Sequence, residues 1–140
     1  MINILLKSSN QSKSYEHNDS KIELKLTPPN GAQRSALQRC RYARSGTNTQ
    51  LLLENLSIAQ IRDEGNDDIA DKMQNQRENE AGHAFGQVVE IISGVNFEGE
   101  DQRYSTPSQL LYHYAPDWLL IRVVNDLLDI SRLATSAAKN

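Results

Sequence analysis

A chain of 140 residues with 15 Lys and Arg against 18 Asp and Glu carries a formal charge of −3, which argues against gripping nucleic acid through overall positive charge. Its 38% hydrophobic and 6% aromatic residues can bury one modest core, so one domain over residues 1–140 is expected. The single cysteine, Cys40, leaves no intrachain disulfide and no cysteine-based metal cluster. No run approaches the ~20 apolar residues of a membrane span, and a soluble protein of a reducing cytoplasm fits.

Residues 2–7 (INILLK) form a short apolar run with strand character. Residues 8–20 (SSNQSKSYEHNDS) are polar and turn-prone. In residues 21–26 (KIELKL), Ile22, Leu24 and Leu26 alternate with Lys21, Glu23 and Lys25, the pattern of a half-buried strand. The two runs predict a β-hairpin over residues 1–27, with 8–20 as its long loop. Because a lone hairpin is marginal in water, its apolar side must lie on helices or on another chain.

The remainder, residues 28–140, reads as four or five packed helices. Thr27-Pro28-Pro29-Asn30-Gly31 stops the strand, and Asn30 or Thr27 caps a helix running to about residue 43 or 44. A thin stripe of Ala32, Ala36, Leu37, Cys40 and Ala43 shares that helix with Arg34, Arg39, Arg41 and Arg44. Thr49 opens a second helix to about Arg62, with Leu52, Leu53, Leu56, Ile58, Ala59 and Ile61 on its apolar side. Asp67 or Asp68 restarts a helical pattern through Ser93, as one helix or two. Within it, Gly82 and Gly86 each weaken the helix by roughly 1 kcal/mol relative to Ala. After a charged loop, Thr106-Pro107 starts a short helix bearing Leu110, Leu111 and Tyr114. Pro116 then opens the longest apolar segment, residues 115–133 (APDWLLIRVVNDLLDISRL). Leu120, Val123, Val124, Leu127 and Ile130 recur there at helical spacing. This helix should be the scaffold of the core. The fold class is therefore α+β, mostly helical.

No arrangement of side chains carries recognisable chemistry. His17, His83 and His113 include no i,i+4 pair of the kind that binds zinc. Cys40 lies among arginines, which lower a thiol pKa, yet no base or oxyanion site accompanies it. The acidic stretch 63–71 (DEGNDDIAD) lacks the ligand spacing of a calcium loop. No enzyme, cofactor or metal is expected. Arg34, Arg41 and Arg44 are candidate contacts to phosphate or to an acidic partner, with the 63–71 segment of this chain or a neighbour as their natural complement. For protein binding, the candidates are Ile22 and Leu24 on the strand and Tyr112, Tyr114 and Trp118 around the Pro116 corner, since Tyr and Trp concentrate at binding hot spots.

Two stretches, KIELKLTPPNGAQRSALQR and APDWLLIRVVNDLLDISRL, lie in a chain whose hairpin passes through a proline turn into a helical domain. This layout resembles the tail assembly chaperones of long-tailed phages. The resemblance implies a non-enzymatic protein of the host cytoplasm. Its partners would be the tape measure protein and tail tube subunits, kept soluble until the tube polymerises, with self-association left open. Two other readings come from the residues alone. One is a small mobile-element inhibitor of a host defence complex. The other is a nucleic-acid binder acting through the Arg34–Arg44 helix.

Overall fold

A computed structural model describes residues 2, 10–44, 49–99, 103–104 and 106–139, without the side chains of 49–51 and 131–139. It is α+β and mostly helical, with an N-terminal antiparallel hairpin and five helices. The hairpin is built from β1 (Gln11–His17) and β2 (Ser20–Leu26). β1 falls inside the stretch read as a loop, and that reading is corrected. The apolar run at 2–7 expected to be the first strand lies outside the described residues, apart from an exposed Ile2. Only Tyr15 of β1 is buried, so the strand shows no apolar alternation. It forms because a two-residue connection, Asn18-Asp19, pairs it along its whole length with β2, from Gln11 opposite Leu26 to His17 opposite Ser20. Asn18 takes φ +54°, a left-handed conformation that Asn tolerates better than most residues. In β2, Leu24 and Leu26 are fully buried, as the alternation requires.

Asn30 caps α1 (Gly31–Gln38) through a reciprocal pair: its side chain accepts from the Gln33 backbone N–H, and the Gln33 side chain accepts from the Asn30 N–H. The helix stops at Gln38, about five residues before the expected end. Cys40 and Tyr42 are both buried, and residues two apart on a helix point about 200° away from each other. The chain leaves the helix and turns tightly, which allows both into the core.

The next elements are α2 (Thr49–Asp63) and α3 (Asp67–Val88), joined by a short turn with Gly65 at φ +84°. One continuous helix thus runs from Asp67, but it ends at Val88. Residues 89–93, expected to be helical, form β3 (Val89–Ser93), antiparallel to β2. Val, Ile and Ile in that run fit a strand as well as a helix. Pairing with β2 decides the matter, and the Thr27 N–H to Val88 carbonyl bond (2.8 Å) locks the helix-to-strand junction. The sheet order is β1-β2-β3.

Thr106 caps α4 (Pro107–Tyr114) by accepting from the Gln109 N–H, with proline in the first turn. Ser108, buried, donates to the Val89 carbonyl and ties α4 to β3. The Ala115-Pro116 corner leads into α5 (Asp117–Lys139). Here Leu119, Leu120, Val123, Val124 and Leu127 are fully buried, and Ile130 nearly so. They share one core with Leu24, Leu26, Leu37, Phe85 and Tyr112. α5 also holds β1: Tyr15 donates to Asp126 (2.7 Å), Lys13 pairs with Asp126, and Arg122 donates to the Glu16 carbonyl. The scaffold helix is where the sequence put it.

Candidate protein-binding surfaces

Of the binding residues read from sequence, Tyr114 is exposed, Ile22 and Trp118 are half-buried, and Leu24 and Tyr112 are buried. Ile22 and Tyr114 come together in a cleft of about 560 Å³ between β2, the loop 94–99 and the α4–α5 corner. Gly94 makes the cleft wall tight: at φ +88°, a Cβ there would sit 2.2 Å from the Lys21 carbonyl oxygen. Tyr114 is about half exposed and Phe97 about a third exposed where they line it, and Arg103 donates to the Tyr114 hydroxyl (2.6 Å). Leu24 and Tyr112, in contrast, present no surface to a partner. Leu24 is on the inner face of the central strand. Tyr112 packs on Phe85 and Tyr42 and donates its hydroxyl to Glu78, so it is core. Trp118 is half-buried, outside the cleft, stacked on His17 at 4.8 Å with the Arg122 guanidinium over its ring.

The arginines do not line one helical face, because α1 ends before two of them. Arg34 is half-buried; Arg41 and Arg44 are exposed beyond the helix. Their expected complement in 63–71 is engaged elsewhere: Asp71 (2.8 Å) and Asp67 (3.9 Å) both pair with Arg62. Arg41 pairs instead with Glu78 (3.8 Å), which also accepts from the Arg41 backbone N–H. Arg39 meets Glu54 (2.9 Å) and Glu80 (3.8 Å). Arg39 and Arg41 thus tie the turn that follows α1 to α2 and α3. Pairs this exposed contribute little individually, but they fix where α2 lies.

Cys40 behaves as a buried small residue. Burial pushes its thiol up to about 11, away from the thiolate range. Among the described residues no group of His, Cys, Asp and Glu is arranged to hold a metal ion, and no helix is long and apolar enough to cross a membrane.

The most informative surface is α2. Of the six residues on its expected apolar side, Ile58 is buried and Ile61 half-buried. Leu52, Leu53 and Leu56 are 57–59% exposed, and Ala59 is exposed as well. The inner side is held largely by polar contacts. Arg77 of α3 donates to Asn55 (2.8 Å) and to the Arg39 carbonyl (2.6 Å), Glu54 takes Arg39, and Arg62 reaches Asp71 and Gln74. A signal was present in the sequence: at about 100° per residue, Leu56 and Ile58 lie on opposite sides of a helix. No single inward stripe could hold all six. Comparison with known protein families, curated proteins and solved structures finds no match for this chain.

Proposed function

We propose that the protein acts by binding other proteins, as a tail assembly chaperone of a long-tailed phage that covers tape measure and tail tube surfaces until they assemble. One observation carries the binding reading: α2 is fixed to the body through polar side chains while three leucines face water. Roughly 300 Å² of contiguous apolar surface is left on them, the scale at which a patch on a soluble chain is commonly functional. Covering it contributes on the order of 7 kcal/mol before association costs. That suits reversible masking, because the surplus left after those costs is small. The cleft holding Ile22 and Tyr114 offers a second apolar contact on the hairpin side. The assignment to tail assembly rests on the sequence layout.

Co-expression tests the reading. With the phage's tape measure or tail tube protein, this chain should raise the partner's soluble fraction and co-purify with it. Unchanged solubility together with no co-purification would sink it.

A further inference from the structure

One arc of α2 is turned to solvent. At about 100° per residue, Leu52, Leu53, Leu56, Ala59 and Gln60 fall within about 120° of one another, and all five are exposed. Ile58, Ile61 and Glu54 lie on the far side, buried or half-buried. From Leu52 to Gln60 the arc carries no charge. Glu54 is the one ionisable residue of that stretch, and it is turned inward onto Arg39 at 2.9 Å. The first charge on the arc is Asp63, at the end of the helix. It is exposed and has no ion-pair partner among the described residues. The first turn of α2 contains no acid, so no carboxylate of the helix itself offsets the positive end of its dipole.

We propose that this arc is the contact face of a weak, reversible homodimer, in which the α2 helices of two copies lie antiparallel across a two-fold axis. The proposal goes beyond the protein-binding reading: a second copy covers the leucines while no other partner does. Three features select a second copy. An isologous contact sets a surface against itself, so a charge at its centre would meet its own like and repel; this arc has none there. Antiparallel packing brings Asp63 of each copy to the N-terminal end of the other's α2, where the dipole attracts it, whereas parallel packing would set Asp63 against Asp63. The area fits as well. The three leucines leave roughly 300 Å² on each copy. Two copies together cover about 600 Å² of apolar surface, which with a polar rim stays in the range of weak, transient contacts, below about 1,200 Å². A chain paired in this way is dimeric when concentrated, monomeric when dilute, and free to exchange its second copy for another protein.

Sedimentation velocity on the full chain tests this. The wild type should run as a monomer at ~1 μM and as a dimer at ~200 μM. L53Q/L56Q should weaken the dimer at least about tenfold and leave the melting temperature of the dilute protein unchanged, because both side chains are exposed. D63K should weaken the dimer about threefold or more, again without lowering that melting temperature. In L56C, a short bis-maleimide should join two copies at ~200 μM, whereas the wild type, whose one cysteine is the buried Cys40, should stay unjoined. A wild type that is monomeric at ~200 μM, a dimer that L53Q/L56Q leaves intact, or one that D63K does not weaken, overturns the proposal. If the wild type stays monomeric while a tape measure or tail tube protein co-purifies with it and is lost with L53Q/L56Q, the leucines serve a different protein, and the protein-binding reading stands without the dimer. If the dimer forms and neither phage protein co-purifies, the tail-assembly reading fails and the dimer stands.

Discussion

Replacing Gly82 by alanine sets two effects of opposite sign against each other. Inside α3, alanine is favoured over glycine by about 1 kcal/mol, so helix propensity alone predicts stabilisation. The structure opposes it. A Cβ at position 82 would lie 2.8 Å from His113 Nε2 and 3.0 Å from Tyr112 Cδ1. Neither ring can easily move. Tyr112 is 1% exposed, packed on Phe85 and tied to Glu78, and His113 stacks on Tyr104 at 3.9 Å. Overpacking of this kind costs about 1–3 kcal/mol. The net expectation is a loss of about 1 kcal/mol, or a melting temperature lower by roughly 3 °C for a chain of this size. Gly86 is the internal comparison. Its Cβ would meet Gln109 Cγ at 2.6 Å, but a half-buried glutamine on α4 can swing aside, so Gly86→Ala should cost less than Gly82→Ala. Calorimetric or circular-dichroism melts decide. In an H113A background the Gly82→Ala loss should shrink, because the nearest obstacle is gone. A Gly82→Ala protein that melts higher than wild type would refute the close α3–α4 packing.

Four groups are shifted in a way that predicts loss of stability in alkali. Burial raises the Cys40 thiol to about 11; burial first, then Asp126, raises the Tyr15 phenol well above its usual range, and burial first, then Cys40 and Glu78, does the same for Tyr112; Tyr42 is raised as well. An acid whose folded pKa is raised stabilises fully below its unfolded pKa and loses that contribution as pH rises through the folded one. Denaturant midpoints should therefore hold to about pH 8.5 and fall increasingly above pH 9–10, where unfolded Cys and then Tyr ionise; a midpoint constant to pH 11 contradicts this burial. Cys40 in the native protein should react with a thiol reagent at pH 8 far more slowly than in denaturant, and equal rates would mean that it is not enclosed. Tyr15→Phe removes the hydroxyl that donates to Asp126 and should cost about 1 kcal/mol in chemical unfolding; no change would show that α5 does not hold β1 through this bond.

How much was legible depended on whether one face alone had to be apolar. The α5 stripe from Leu120 to Ile130 reads unambiguously, since its polar residues collect on the other side, and the structure buries that stripe. β2 reads equally well by alternation. β1 does not, because Tyr15 is its only buried residue, and β3 does not, because a five-residue segment with only Val89, Ile91 and Ile92 apolar fits either period. The early end of α1 follows from Cys40 and Tyr42 competing for one core, which only the tertiary structure reveals. The aromatic candidates could have been separated by spacing: Tyr112 and Tyr114 are two apart on α4, about 200° around the helix, so only one can face a partner. Burial selects Tyr114. Identical leucines serve as core on α5 and as surface on α2. Composition cannot distinguish the two, because the difference lies in the polar contacts that turn α2 around.

Hydroxyl-radical footprinting of Leu52, Leu53 and Leu56 reads the orientation of α2 directly. In the isolated protein at low concentration all three should oxidise readily, and Leu119, Leu120 and Leu127 should not; in the complex with a co-purified partner, the α2 leucines should become protected. Protection of these leucines in the isolated chain, or unchanged reactivity once the partner is bound, would contradict the account.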